Sequence, residues 1–200
     1  NYDSKLPINV IGSNDPIPIN YNLQIPSAQV KSAILLAGLN VRGKTTVLEN
    51  EPTRDHTEKM LKFLGAKIQI EKKGSSNNIS VNGFPKLNPG IISVPGDISS
   101  ASFPIALACM IPNSELIIKN VGLNPLRDGF VETLLEMGAN IKIQNKNIEA
   151  GELVADLHVC YSPNLVGVEV PEDRSARMID EYPILSILAA TANGPTIMKG

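Results

Sequence analysis

The order of apolar and polar positions divides most of the chain into short, alternating elements. Ser27 to Leu39 is apolar nearly all round the helical wheel (Val30, Ala33, Ile34, Leu35, Leu36, Ala37), which predicts a buried helix. Lys44 to Glu49, rich in Thr and Val, predicts a strand. Arg54 to Leu64 is amphipathic, with Met60, Leu61 and Leu64 on the inner face, and Gly65 is placed to end that helix. Residues 67–71 and 78–82 alternate like the arms of a hairpin, turned through Gly74 to Asn77. With a short strand at Leu23 to Ile25, the order is β-α-β-α-β-β. The pattern then starts again. A strand is predicted at 91–94, a nearly all-apolar helix at 98–111, a strand at 115–120, a helix at 126–137, and strands at 140–145 and 153–160. Residues 6–20 read as the closing strands of an earlier unit.

The residues repeat along with the elements. Pro26 and Pro95 each precede a polar helix start. Each following strand ends in Asn, at Asn50 and Asn120. Arg54-Asp55 and Arg127-Asp128 open the second helices, and Gly65 and Gly138 close them inside Leu-Gly-Ala and Met-Gly-Ala. The prolines stand 69 residues apart (26 to 95) and the Arg-Asp pairs 73 apart (54 to 127), so the second strand-to-helix loop carries a short insertion. A third copy begins at Pro171 and stops after its second strand. One such unit has a sheet face to cover and cannot cover it well alone, so several units are expected to share buried helices. The boundary between two groups of units falls near Ser93–Pro95.

Composition narrows the function classes. Hydrophobic residues at 42% and charged residues at 19% allow a core, and 4% aromatic with no Trp makes that core aliphatic. A net charge of -2 argues against general nucleic-acid binding, which needs a basic surface, but leaves room for one small anion held by local donors. No apolar run reaches 18 residues and no apolar leader follows the polar start, so neither a membrane span nor a signal peptide is expected. Cys109 and Cys160 read as reduced core thiols of a cytoplasmic protein. No Cys/His cluster has metal spacing, and His56 and His158 read as isolated and structural. The abrupt start, and the stop at a strand ending Met198-Lys199-Gly200, suggest part of a longer chain.

Five stretches taken in order resemble the enolpyruvylshikimate-phosphate synthases. They are Pro26-Ser27-Ala28-Gln29-Val30-Lys31-Ser32-Ala33, Thr53-Arg54-Asp55-His56-Thr57-Glu58-Lys59-Met60-Leu61, Val94-Pro95-Gly96-Asp97-Ile98-Ser99-Ser100-Ala101, Asn120-Val121-Gly122-Leu123-Asn124-Pro125 and Met178-Ile179-Asp180-Glu181-Tyr182-Pro183. The resemblance covers almost the whole chain. It implies an α/β (α+β) fold, an inverse α/β barrel built of β-α-β-α-β-β units in two domains that close on substrates. Residues 1–92 would end the first domain, with one full repeat at about 21–85. Residues 93–200 would begin the second, with one full repeat at about 91–160 and a truncated third. It further implies transfer of the enolpyruvyl group of phosphoenolpyruvate to the 5-hydroxyl of shikimate 3-phosphate, with no cofactor, by a cytoplasmic monomer. The family's opening Lys-Ser/Arg segment and its later Lys-Glu and Arg segments have no counterpart here.

The candidate site residues suit two anionic substrates. Helix N-termini offer unpaired N–H groups and about half a positive charge. Ser27, Ala28 and Gln29 open a helix, and by resemblance they hold the shikimate phosphate, Gln29 also approaching phosphoenolpyruvate; Ser27 can equally be an N-cap. Arg54 can fork onto a phosphate, or form a surface pair with Asp55 or Glu58; Arg127 has an equal claim from sequence. By resemblance Asp180 is the proton acceptor, and only the resemblance raises it above Glu181. Asp97 reads as an N-cap with a structural or hinge role, and Arg174 and Arg177 as a solvated loop. The competing readings are a UDP-N-acetylglucosamine enolpyruvyl transferase and a non-catalytic core fragment, the 200-residue piece alone being expected to be inactive.

Overall fold

A computed structural model describes residues 8–74 and 76–199. The predicted turn at 74–77 and the earlier-unit strands at 6–20 therefore lie partly outside the described residues. Two compact units emerge, residues 1–51 with 65–87 and residues 52–64 with 88–200.

The first unit holds β1 (Asn20–Asn22), α1 (Ala28–Gly38), β2 (Lys44–Glu49), β3 (Ile68–Lys73) and β4 (Ser76–Asn82). Its sheet runs β1-β2-β4-β3, with β1 parallel to β2 and the other pairs antiparallel. The strand predicted at 23–25 forms three residues earlier. Leu23 continues the ladder by donating its N–H to Leu48 at 2.9 Å and is buried, while Ile25 beyond it is exposed. Helix α1 approaches the sheet closely at Gly38, where a Cβ would lie 2.9 Å from both Thr45 Cβ and Val81 Cγ1. Its burial is less complete than predicted: Leu35 is buried, whereas Val30 and Leu36 are exposed. One helix on one face of a sheet covers only part of its own circumference. The buried face also carries Lys31, fully enclosed and paired with Glu49 at 3.0 Å, while Asn77 donates to the other Glu49 oxygen.

The second unit holds α2 (His56–Phe63), α3 (Ile98–Met110), β5 (Glu115–Gly122), α4 (Gly129–Glu136), β6 (Ile141–Glu149), β7 (Glu152–Cys160), β8 (Glu169–Val170), two 3-10 turns (Glu172–Arg177 and Ile179–Glu181), α5 (Tyr182–Thr191) and β9 (Ile197–Met198). Its sheet runs β5-β7-β6, and β8 pairs with β9 in parallel. The strand predicted at 91–94 does not form. Ile91 and Val94 stand 95% and 82% exposed, and only Gly96 bridges Val121, in parallel. An extended segment without a ladder partner is not a strand. That bridge nevertheless gives the order Gly96-β5-β7-β6, the same as β1-β2-β4-β3, and β8 beside β9 repeats its first parallel step. The inferred repeat is therefore a repeat of topology. The fold is mixed α/β with open sheets, and no closed barrel occurs among the described residues.

Helix α4 ends as its sequence predicts. Gly138 has φ +84°, its N–H donates to Leu135, and the Ala139 N–H donates to Leu134, which is a Schellman closure. The core of this unit joins α3, α4 and α5 to the sheet through Ile105, Ala106, Phe130, Leu134, Leu157 and Leu185, aliphatic but for one ring. Two bulges, at Asn120 and Asn145, break the β5–β7 and β6–β7 registers, and both residues have positive φ. Asp156 on β7 braces both, accepting from the Asn120 N–H and from Asn145 Nδ2 at 2.8 Å each. Both cysteines are free thiols, Cys109 being buried.

Candidate functional site

In the first unit, Ser27 is the N-cap of α1. Its backbone is extended, and its Oγ accepts from the Val30 N–H at 3.3 Å while donating to Gln29 Oε1 at 3.2 Å. Ala28 and Gln29 supply the first backbone N–H groups, which have no carbonyl one turn back within the helix. The first turn of α1 contains no acidic residue. The end of α1 thus presents a hydroxyl, an amide and N–H groups with no negative charge of its own.

In the second unit, residues 126 apart in sequence meet: Arg54 Nη2 donates to Asp180 Oδ2 at 2.9 Å. Neither of the partners expected for Arg54, Asp55 or Glu58, takes that role. Asp55 instead accepts from Asn124 at 2.7 Å and pairs with Lys59 at 3.0 Å. Burial pushes the Asp55 carboxyl up, but the Asn124 and Lys59 hydrogen bonds outweigh it and hold the group below its ordinary value. The buried Asn124 also donates to Glu152, which in turn meets His56 Nδ1 at 2.6 Å. This polar cluster fastens the start of α2 to the loop after β5 and to β7, so the backbone from which Arg54 projects is held in place. A cavity of about 340 Å³ lies beside it, lined in part by His56, Met60, Pro95, Asp97 and Arg127, but neither Arg54 nor Asp180 lines it.

Asp180 and Glu181, equivalent in the sequence, differ in space. The Asp180 side chain is 53% exposed, whereas Glu181 is 3% exposed. Burial raises the Glu181 carboxyl, and neighbouring Asp180 adds to this, against the pull of Ser99, Arg127 and Arg54. Only Asp180 is open to a ligand.

Arg174 and Arg177 are not a solvated loop. Arg174 is buried and forks onto Glu136 at 2.5 and 2.7 Å, with further bonds to Glu132 and Thr133 at 3.0 Å each. Arg177 pairs with Asp128 and Glu132. Both tie the turn before Asp180 to α4. Sequence reading missed them because a guanidinium in a polar stretch is ordinarily solvated. The only signal available was the run of acids at Asp128, Glu132 and Glu136, four residues apart on one helix face. Arg127, the repeat mate of Arg54, donates instead to Asp97 at 2.8 Å and to Ser99 at 2.7 Å. Asp97 caps α3 as expected, accepting from the Ser100 N–H and hydroxyl at 2.9 Å each.

Repeated β-α-β-α-β-β units, with a neutral helix cap in one unit and an exposed Arg–Asp pair in the other, define the class as an enolpyruvyl transferase-like α/β protein. Comparison with known proteins agrees. The family model described as EPSP synthase (3-phosphoshikimate 1-carboxyvinyltransferase) matches residues 1–200, and the chain belongs to that family. It is 50% identical over 196 residues to a 3-phosphoshikimate 1-carboxyvinyltransferase of Roseobacter denitrificans, covering 98% of this chain and 44% of the relative. The EPSP synthase structure from Acinetobacter baumannii superposes with a TM-score of 0.83 at 44% identity, covering 92% of this chain and 40% of that one. The enolpyruvyl transferase NikO from Streptomyces tendae shares the fold, with a TM-score of 0.61 at 18% identity over 93% of this chain and 44% of its own. The chain thus spans less than half the length of these relatives. No helix among the described residues is long and apolar enough to cross a membrane.

Proposed function

We propose that this chain contributes to a 3-phosphoshikimate 1-carboxyvinyltransferase, which joins phosphoenolpyruvate to shikimate 3-phosphate and releases phosphate. The observation that carries this reading is the Arg54–Asp180 pair, an exposed carboxylate and a guanidinium side by side in a member of this family. Asp180 accepts the proton of the 5-hydroxyl as its oxygen bonds to the central carbon of phosphoenolpyruvate, and the methylene carbon gains a proton. The tetrahedral product then breaks its carbon–oxygen bond to phosphate and loses a methyl proton, restoring the double bond. Arg54 turns from Asp180 to a substrate anion, which it can grip with two parallel hydrogen bonds. Ser27, Ala28 and Gln29 bind the shikimate phosphate through hydroxyl, N–H and amide groups. The domain boundary is placed between residues 92 and 93. The enzyme acts in the cytoplasm as a monomer, without a cofactor and without nucleic-acid partners.

The test is to exchange this chain for the matching 196 residues of the Roseobacter denitrificans relative and to follow phosphate release from the two substrates. The folded chimera should turn over, and Asp180→Ala should cost it about 10²- to 10⁴-fold in kcat. The 200-residue chain alone should release none. An Asp180→Ala chimera of unchanged rate, or one that uses UDP-N-acetylglucosamine instead, would overturn the reading.

A further inference from the structure

The sequence offers no metal spacing, yet pairing of β5 with β7 assembles one. Glu115 lies directly opposite Cys160 in the antiparallel register, and His158, two residues earlier on β7, shares its face. His158 Nε2 is 2.7 Å from Glu115 Oε1 and 3.6 Å from Cys160 Sγ, and all three donor atoms lie within 4.8 Å of one another. Tetrahedral zinc, with bonds of about 2.0–2.3 Å, puts neighbouring donors about 3.3–3.8 Å apart. The three atoms reach that spacing with small side-chain rotations.

We propose that Glu115, His158 and Cys160 form a binding site for a divalent ion of the zinc type. The donor set selects the ion: a thiolate and an imidazole favour zinc or cobalt over magnesium or calcium, which take oxygen shells. Three protein ligands leave the fourth position to water, the arrangement of an open zinc site. The backbone beneath is fixed from both sides. The Cys160 N–H donates to Asn140 at 3.0 Å, and the Tyr161 N–H donates to Ser114 at 2.9 Å. Ligands on paired strands need little reordering when the ion arrives. Binding replaces the Cys160 S–H bond by a sulfur–metal bond and frees the Nε2 lone pair of His158, any displaced proton going to solvent. The nearest cation by register is Lys142, opposite His158 on β6; it is exposed, so its ammonium can stay in water.

The site shares no residue with the Arg54–Asp180 pair, and it is tested without reading activity. The reduced chain, stripped with chelator, is titrated with Co²⁺ while the thiolate-to-cobalt band in the near ultraviolet is followed, and then with Zn²⁺. One equivalent should raise the band, and Zn²⁺ should abolish it by displacement. Cys160→Ser should remove the band, while His158→Gln and the surface change Glu115→Gln should each weaken binding by at least about 10-fold with the far-ultraviolet spectrum unchanged. No thiolate band in the parent, or a band that survives in Cys160→Ser, overturns the proposal. Affinity unaltered in both His158→Gln and Glu115→Gln overturns it as well, leaving Glu115 and His158 a plain ion pair.

Discussion

The same unit occurs twice in this chain and treats its helix N-terminus in opposite ways. In the second repeat the anion is built in. Asp97 caps α3, and Arg127, the arginine of the recurring Arg-Asp pair, closes on it. In the first repeat the cap of α1 is the neutral Ser27, and the corresponding arginine, Arg54, is turned to an exposed carboxylate, Asp180. A helix start that already holds a carboxylate has met its need for negative charge and serves stability. One that ends in a hydroxyl and an amide still favours an external anion. Recurrence of a residue in a repeat therefore does not mean recurrence of its role; what each arginine meets decides it.

That contrast can be tested by substitution, beginning with the support beneath Asp180. Arg174→Ala would remove a buried guanidinium bonded to Glu132, Glu136 and Thr133, and should lower unfolding free energy by about 1–3 kcal/mol in urea titrations, because both carboxylates are partly exposed and can turn to water. Arg54→Ala in the chimera should reduce kcat/KM for shikimate 3-phosphate about 100-fold, yet change stability by no more than about 1 kcal/mol, because its ion pair is solvated. Arg127→Ala should do the reverse, with a loss of about 1–2 kcal/mol and little change in rate per folded molecule. If both arginines behave alike, the distinction between the repeats collapses. Asp97→Ala should cost about 1 kcal/mol as a lost cap.

The smallest effects are in pH dependence, and the two carboxyls near Arg127 should have opposite signs. Burial raises the Asp97 carboxyl, but the Ser100 hydrogen bonds and Arg127 outweigh it, leaving the group below its ordinary 3.8. Its stabilisation is present above that value and is lost as pH falls through the lower folded value. Glu181, raised from 4.5 by burial, contributes fully below 4.5 and loses that contribution as pH rises through its folded value. Glu181→Gln should therefore gain stability over the parent at pH 7, the gain shrinking toward pH 4. Asp97→Asn should lose stability at pH 7, the loss shrinking in stronger acid. Urea midpoints at pH 7 and pH 4 for Glu181→Gln, and at pH 7 and in acid below 3.8 for Asp97→Asn, check the signs.

Much of the fold was legible because its signals are local. The helices at 28–38 and 98–110 and the strand at 44–49 stand within a residue or two of their predicted places, and Gly138 stops its helix with the positive φ that few other residues accept. The strand expected at 91–94 failed for a reason no local pattern carries: extended residues become a strand only when another strand is beside them. Ser27 was legible as a cap. The binding role proposed for it rests on resemblance alone, because a cap and an anion site use the same hydroxyl. Arg174 was misread because its burial depends on two acids of α4, Glu132 and Glu136, some forty residues away.

The order of the helices and of most strands, the recurrence of the unit, the aliphatic core and the neutral cap at Ser27 were determined by the sequence alone, since each rests on near-neighbour sterics and on which side chains leave water. Which of two equivalent arginines faces a free carboxylate, which of two adjacent acids is buried, and whether a histidine separated by 43 residues from a glutamate touches it were decided only in the tertiary structure. Electrostatic contacts fall off over a few ångströms, and only the pairing of distant segments brings such charges within that range.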